Sequence, residues 1–317
     1  MPTQDVLDGL FQNGALVDLS IGFWSARRSN DAEDLGLDRD EIPEYVVGLG
    51  TKMLIPKSYT DDWSRSRARA YHIVRKWSQP FPVGDSYFVP NGALPRVESE
   101  LVEEQKVFNA SRDRFGKNFK TIKQDFLTSL TKKERARIEP EIPARDVALS
   151  KFYFAWQLYT ITLPKKLKTA MLDKAKRASQ EKAQEKAQAR YARELDTRVD
   201  QFLASSVKAL RAKTEALCAT VADRIKSGEV VTNRSLDTLR THVERFKMLN
   251  FVGDVEIEKR LTALQKDILD GADAGVFLDS ETMRASLEKA CNGIAAAAHA
   301  VSDVSSVTGG FKRRIVI

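Results

Sequence analysis

Leu195–Lys226 reads "LDTRVDQFLASSVKALRAKTEALCATVADRIK", and neither glycine nor proline interrupts it. Leu195, Val199, Phe202, Leu210, Leu217 and Val221 recur in this run at an a/d-like spacing, which predicts one long helix with an apolar seam. The freedom from helix breakers reaches back to Lys165. About 60 residues of unbroken helix would span roughly 90 Å. The earlier part, "KAKRASQEKAQEKAQAR" (Lys174–Arg190), offers only alanines as a seam. It has strong helix propensity and little to bury, so it is expected to project into solvent or lie against a partner.

Beyond this run, "SGEVVTNRS" marks a break with Asn233 or Ser235 as the cap of the next helix. Helices at about 235–249 and 254–270 meet at "LNFVGD", and a last helix starts at Asp279 or Ser280 and ends near Val301. "GGFKRRIVI" closes the sequence as an apolar, basic, strand-like tail. Before Pro164 the pattern differs. Val17, Leu19, Ile21 and Phe23 alternate with polar or small residues, the period of a half-buried strand. Trp24 then lies on the opposite face from Phe23 unless the strand breaks at Gly22. "TKMLIP", "SYFVP" and "KFYFAWQLYTITLP" read as further strands, the last being the strongest. A helix over 61–78 follows from Trp63, Arg67, Ala70, Val74 and Trp77, with Ser58 or Thr60 as cap. A long helix over about 95–131 follows from Val97, Leu101, Phe108, Phe115, Phe119, Ile122, Phe126 and Leu130. The fold class expected is α+β and helix-dominated, with a small, mostly antiparallel sheet and long coiled-coil-like helices. The expected division is an α+β domain over 1–164 and a helical domain over 165–317. The second would hold the long helix at about 165–226, three shorter helices and the basic tail.

"LSIGFWSARRSNDAEDLGL", "GLGTKMLIP", the Trp- and Arg-bearing helix after it and "LNFVGDVEIEKRL" together resemble a family of unknown function. Its members occur in phages, prophages and plasmids, often encoded near MoxR-type AAA+ ATPases and von Willebrand A-domain proteins. The resemblance covers most of the chain and carries no catalytic residues. It implies a mobile-element protein of the bacterial cytoplasm, partnered with an ATPase.

Several chemistries find no support in the residues. The histidines, His72, His242 and His299, stand at no ligand spacing with each other or with Cys218 or Cys291, so no metal site is expected. The two cysteines read as buried free thiols. "GLGTK" (Gly48–Lys52) lacks the spacing of a phosphate loop, and Lys52 opens a strand rather than a helix. The acidic group Asp31, Glu33, Asp34, Asp38, Asp40, Glu41 and Glu44 lacks the order of a calcium loop and reads as a solvated loop. No nucleophile elbow or membrane span is found, and neither a secretory signal nor a cofactor is expected.

Charge is the remaining signal. The net charge is +7; residues 1–164 balance, so 165–317 carry all of it, and 165–190 hold nine basic against three acidic residues. Arg65, Arg69, His72 and Lys76 fall at i, i+4, i+7 and i+11, one basic face of a helix suited to a phosphate backbone or an acidic partner. Lys165, Lys166, Lys168, Lys174, Lys176 and Arg177 form a second candidate, and Phe311, Lys312, Arg313, Arg314 and Ile315 a partner-binding tail. The leading expectation is a non-enzymatic phage-type protein that acts by protein–protein binding, as adaptor or partner of an AAA+ ATPase, with self-association through the seam. The alternative is a nucleic-acid-binding protein of phage DNA metabolism that uses the two basic segments.

Overall fold

A computed structural model of the chain describes residues 3–31, 49–162, 174–300 and 304–315. Helix α1 (Thr3–Gln12) leads into strand β1 (Gly14–Gly22). In β1, Leu16, Val17, Leu19 and Ile21 are buried while Asp18 and Ser20 are exposed, as the alternation requires. Short strands β2 (Arg27–Ser29) and β3 (Thr51–Met53) form an antiparallel ladder, Arg27 facing Met53 and Ser29 facing Thr51. Helix α2 (Lys57–Lys76) precedes β4 (Gln79–Pro80) and β5 (Tyr87–Pro90), and α3 (Leu94–Ser129) follows. Short helices α4 (Lys132–Ile138) and α5 (Arg145–Leu149) lead to β6 (Tyr153–Tyr159). Thr131 and Glu134 cap α4 reciprocally, each side chain meeting the other residue's backbone N–H. Then come α6 (Lys174–Lys226), α7 (Asn233–Leu249), α8 (Val255–Leu264), α9 (Ala274–Asp279), α10 (Glu281–His299) and α11 (Ser305–Ile315). The fold is α+β and helix-dominated, with a four-stranded sheet in the order β4-β5-β1-β6 and the two-stranded β2-β3 sheet.

The chain gathers into two compact units. One takes described residues within Met1–Val17, Trp77–Pro95 and Leu158–Ile317; the other takes those within Asp18–Lys76 and Arg96–Gln157. In the first unit Val6, Leu7, Leu10, Leu16, Phe88, Val199, Phe202 and Phe311 form one core, and α6, α7, α8 and α10 enclose a second. In the second unit, an aromatic cluster links α2, α3 and the end of β1: Trp63 lies edge-on to Phe115 at 4.9 Å and to Phe152 at 4.7 Å. Strand β1 does break at Gly22, and Phe23 and Trp24 reach this same cluster, against Trp63 and Phe115 respectively.

The two glycines of β1 face different neighbours. A Cβ at Gly14 would sit 2.5 Å from the Val89 carbonyl oxygen and 2.6 Å from the buried Phe88 ring. At Gly22 it would meet the outer ring atoms of Tyr153, an exposed side chain that can swing aside. Gly14→Ala is therefore expected to cost about 1–3 kcal/mol by overpacking, and Gly22→Ala less than about 0.5 kcal/mol. Urea midpoints of the two variants give the comparison, and equal losses would contradict it.

Several elements differ from the sequence reading. Helix α2 begins at Lys57, so Ser58 and Thr60 lie inside it rather than capping it, and β2 is a strand outside that reading. The tail is helix α11, not a strand. Val304, Val307 and Phe311 recur at i, i+3 and i+7, and their burial outweighs the roughly 1 kcal/mol that each of Gly309 and Gly310 costs a helix. The cap of α7 is Thr232, whose Oγ accepts from the Ser235 N–H at 3.2 Å, one residue ahead of the earliest candidate.

Candidate binding surfaces

Helix α2 buries Trp63, Ala70 and Val74, the apolar side its spacing predicted. Its four basic candidates divide into different roles. Arg65 is exposed, with Asp62 at 3.4 Å as an i,i+3 partner, and His72 is exposed. Arg69 instead donates through Nε and Nη2 to both carboxylate oxygens of Glu104, at 2.8 and 2.9 Å. Glu104 on α3 is almost fully buried and also accepts from the Ser66 hydroxyl. The hydrogen bond to Glu104 raises the Arg69 pKa above its ordinary value. Arg69 thus fastens α2 to α3, and Lys76 is half-buried and engaged. Arg69 stays about half exposed but is held by Glu104, so Arg65 and His72 are the exposed members of this face that do not anchor α2 to α3. Arg67, placed by sequence in the apolar spacing, is exposed and covers the Phe23 ring at 5.9 Å.

Lys174, Lys176 and Arg177 fall within α6; their side chains lie outside the described residues, as do Lys165, Lys166 and Lys168 altogether. Along α6 the first buried side chain among the described residues is Leu195. Lys186, Ala189, Arg190, Tyr191, Arg193 and Glu194 before it are exposed. After it, Val199, Phe202, Leu203, Val207, Leu210, Cys218 and Val221 are buried, so the predicted seam is real. It packs inside the chain, against α1, α7, α10 and α11. The tail residues are partly occupied in the same way. Phe311 is buried and meets Phe251 edge-on at 6.1 Å, and Lys312 pairs with Asp200. Arg313 is exposed, while the side chains of Arg314 and Ile315 lie outside the described residues.

Two polar contacts between α6 and its neighbours had no local signal in the sequence. Arg211 and Asp254, both about 95% buried, form a two-pronged ion pair, with Nη2 to Oδ1 at 2.8 Å. A third Arg211 nitrogen donates to the Ala297 carbonyl at 3.2 Å, so the guanidinium ties α6 to the start of α8 and to α10. Asp254 is also the N-cap of α8, and Gly253 before it adopts φ +83°, which favours glycine. Cys218 on α6 and Cys291 on α10 are buried free thiols, as expected, and they hydrogen-bond each other; that contact and burial push the Cys291 thiol upward.

His242 on α7 is the third polar feature of this helical core. Its Nε2 lies 2.9 Å from the Thr214 hydroxyl, and burial, helped by the nearby Arg245 and Lys213 charges, pulls its pKa down from 6.5 to about 4. The unfolded chain therefore holds an extra proton between these values, and stability is lost as pH falls from about 6.5 through about 4. The expected loss is up to about 3 kcal/mol. Urea unfolding at neutral and mildly acidic pH should show His242→Gln with a flatter pH dependence than the native chain; identical profiles would contradict this.

Among the described residues no three His, Cys, Asp or Glu side chains gather as metal ligands, and no helix is long and apolar enough to cross a membrane. Of the acidic group considered for a cation, all but Asp31 lie outside the described residues. The family described as a protein of unknown function (DUF3150) matches residues 11–270. No curated protein and no solved structure matches the chain. The match takes in both compact units, and the chain belongs to this family.

Proposed function

We propose that this member of the DUF3150 family acts by binding another protein, with the first part of α6 as its docking arm. The observation that carries the reading is the stretch of α6 ahead of Leu195, in which no described side chain is buried. A helix that is polar all round either bridges through solvent, is held by many i,i+4 pairs, or lies against a partner. Tyr191, 45% exposed, supplies an apolar body with a polar tip, a side-chain type favoured at interfaces. The partner proposed is an AAA+ ATPase of the MoxR type, in the bacterial cytoplasm and in a phage or plasmid setting, the context that the family resemblance implies. The seam after Leu195 is occupied within the chain, so the arm rather than the seam is the surface assigned to the partner.

A photo-cross-linking side chain in place of Tyr191, in the full chain expressed in its host, tests this. Capture of a ring ATPase there, and not from a control position at Lys259, is the expected result. Cross-links confined to copies of the same chain would sink it.

A second reading, direct nucleic-acid binding, is favoured by the nine basic against three acidic residues of 165–190 and by the outward Arg65 and His72. A gel shift with single- and double-stranded DNA at low salt separates the two. Binding that weakens steeply with salt, and less steeply in Arg65→Glu, supports the second reading; no shift at low salt removes it.

A further inference from the structure

Lys213 and Thr214 are neighbours on α6, and His242 and Arg245 lie one turn apart on α7, which packs against it. Thr214 donates its single hydroxyl proton to the Leu210 carbonyl at 2.9 Å. The contact with His242 is then an imidazole Nε2–H donating to the Thr214 oxygen, which leaves Nδ1 of the neutral ring as a bare acceptor. Arg245 is half-buried, and its Nε has no hydrogen-bond partner among the described residues. No carboxylate is ion-paired with Arg245 or with Lys213 among those residues, and Arg245 is the charge that acts on Lys213. Burial lowers the pKa of both cations, and each charge weighs on His242 as well. Lys213 is exposed, while His242 and Arg245 are partly buried.

Partly desolvated cations that act on one another without a counter-charge oppose folding, and an anion held by both would offset that cost. We propose that Lys213, His242 and Arg245 form a binding site for a dianionic phosphoryl group, as inorganic phosphate or a small phosphate monoester. Two positive charges match a dianion better than a single carboxylate. The planar Arg245 fork and the point charge of Lys213 are the pair of donors that phosphoryl recognition uses. On binding, the anion favours protonation of His242 at Nδ1, turning the bare acceptor into a third donor. The site is separate from the α6 arm, and its test does not depend on the partner assigned there.

Thermal unfolding of the full chain, with phosphate replacing chloride at constant ionic strength, is the measurement. The melting temperature should rise saturably with phosphate. Arg245→Met and Lys213→Met should be as stable as the native chain or more so without phosphate, and should bind it about tenfold or more weakly. By NMR, phosphate should move the His242 titration up from about 4. A nucleoside monophosphate and an oligonucleotide lacking a terminal phosphate distinguish the sources. Stabilisation by either of the monoester-class anions supports the site. Stabilisation by the oligonucleotide alone, or no phosphate-specific gain in the native chain, overturns it. So does a phosphate response retained within about twofold in both methionine variants. If Arg245→Met fails to fold, Lys213→Met and the NMR titration carry the test.

Discussion

Asp254→Ala is expected to lower the stability of the helical core by about 3–5 kcal/mol, enough to unfold an ordinary domain. The change strands the Arg211 guanidinium in an interior where it is 4% exposed. It also removes the side chain that caps α8, a further loss of about 1 kcal/mol. Asn250 makes the loss hard to repair locally. Its Oδ1 accepts from the Asp254 N–H at 2.7 Å and its Nδ2 donates to Glu258 at 2.6 Å, contacts that position the loop but offer Arg211 nothing. Removing both charges, as Arg211→Met with Asp254→Leu, should recover most of the loss, since a buried pair replaced by apolar groups of similar volume is close to neutral. The urea midpoint followed by far-ultraviolet circular dichroism reads both changes. An Asp254→Ala loss below about 1 kcal/mol, or a double variant no better than the single one, would show that the pair does not hold this core.

A loss of about 3–5 kcal/mol is likewise expected for Trp63→Ala, this time in the unit built on α2 and α3. Trp63 is 1% exposed and touches Phe23, Phe115 and Phe152, while its indole N–H donates to the Ser111 hydroxyl at 3.2 Å. Removing it empties the space where the end of β1, α2, α3 and the segment before β6 meet. Trp63→Phe keeps the apolar body and loses the Ser111 hydrogen bond, so its cost should be roughly a third to a half of the alanine variant's. If the two substitutions cost the same, the Ser111 contact rather than the packing dominates.

Local periodicity carried the elements that bury one face. The alternation in β1 and the aromatic spacing of α3 each placed an element within a few residues of its position. The breaker-free run ends where α6 ends, its expected start near 165 lying outside the described residues. Strand β2 escaped because Arg27, Arg28 and Ser29 are all exposed: with no buried face there is no period to read. Helix α11 escaped because its two glycines and β-branched neighbours argue against helix locally, and only the docking of Val304 and Phe311 decides otherwise. The basic face of α2 was legible as a face, but not the pairing that engages Arg69. That depends on Glu104, 35 residues away on another helix. The Arg211–Asp254 pair spans 43 residues and the Thr214–His242 contact 28, so helical spacing cannot announce either. Asp254 stood in view within "LNFVGD" as a place where two helices meet; its part in holding α6 did not.

The joint burial of Phe311 with Val6, Leu7 and Leu10 has a consequence for biosynthesis. The first helix shares a core with the last one described, across nearly the whole length of the chain. At about 5–20 residues per second, a ribosome needs roughly 15–60 s between making α1 and making Phe311. Throughout that interval the apolar side of α1 lacks one of its permanent neighbours, and its core can close only after translation has passed residue 311. A stall late in the message would leave α1 without a finished core to join.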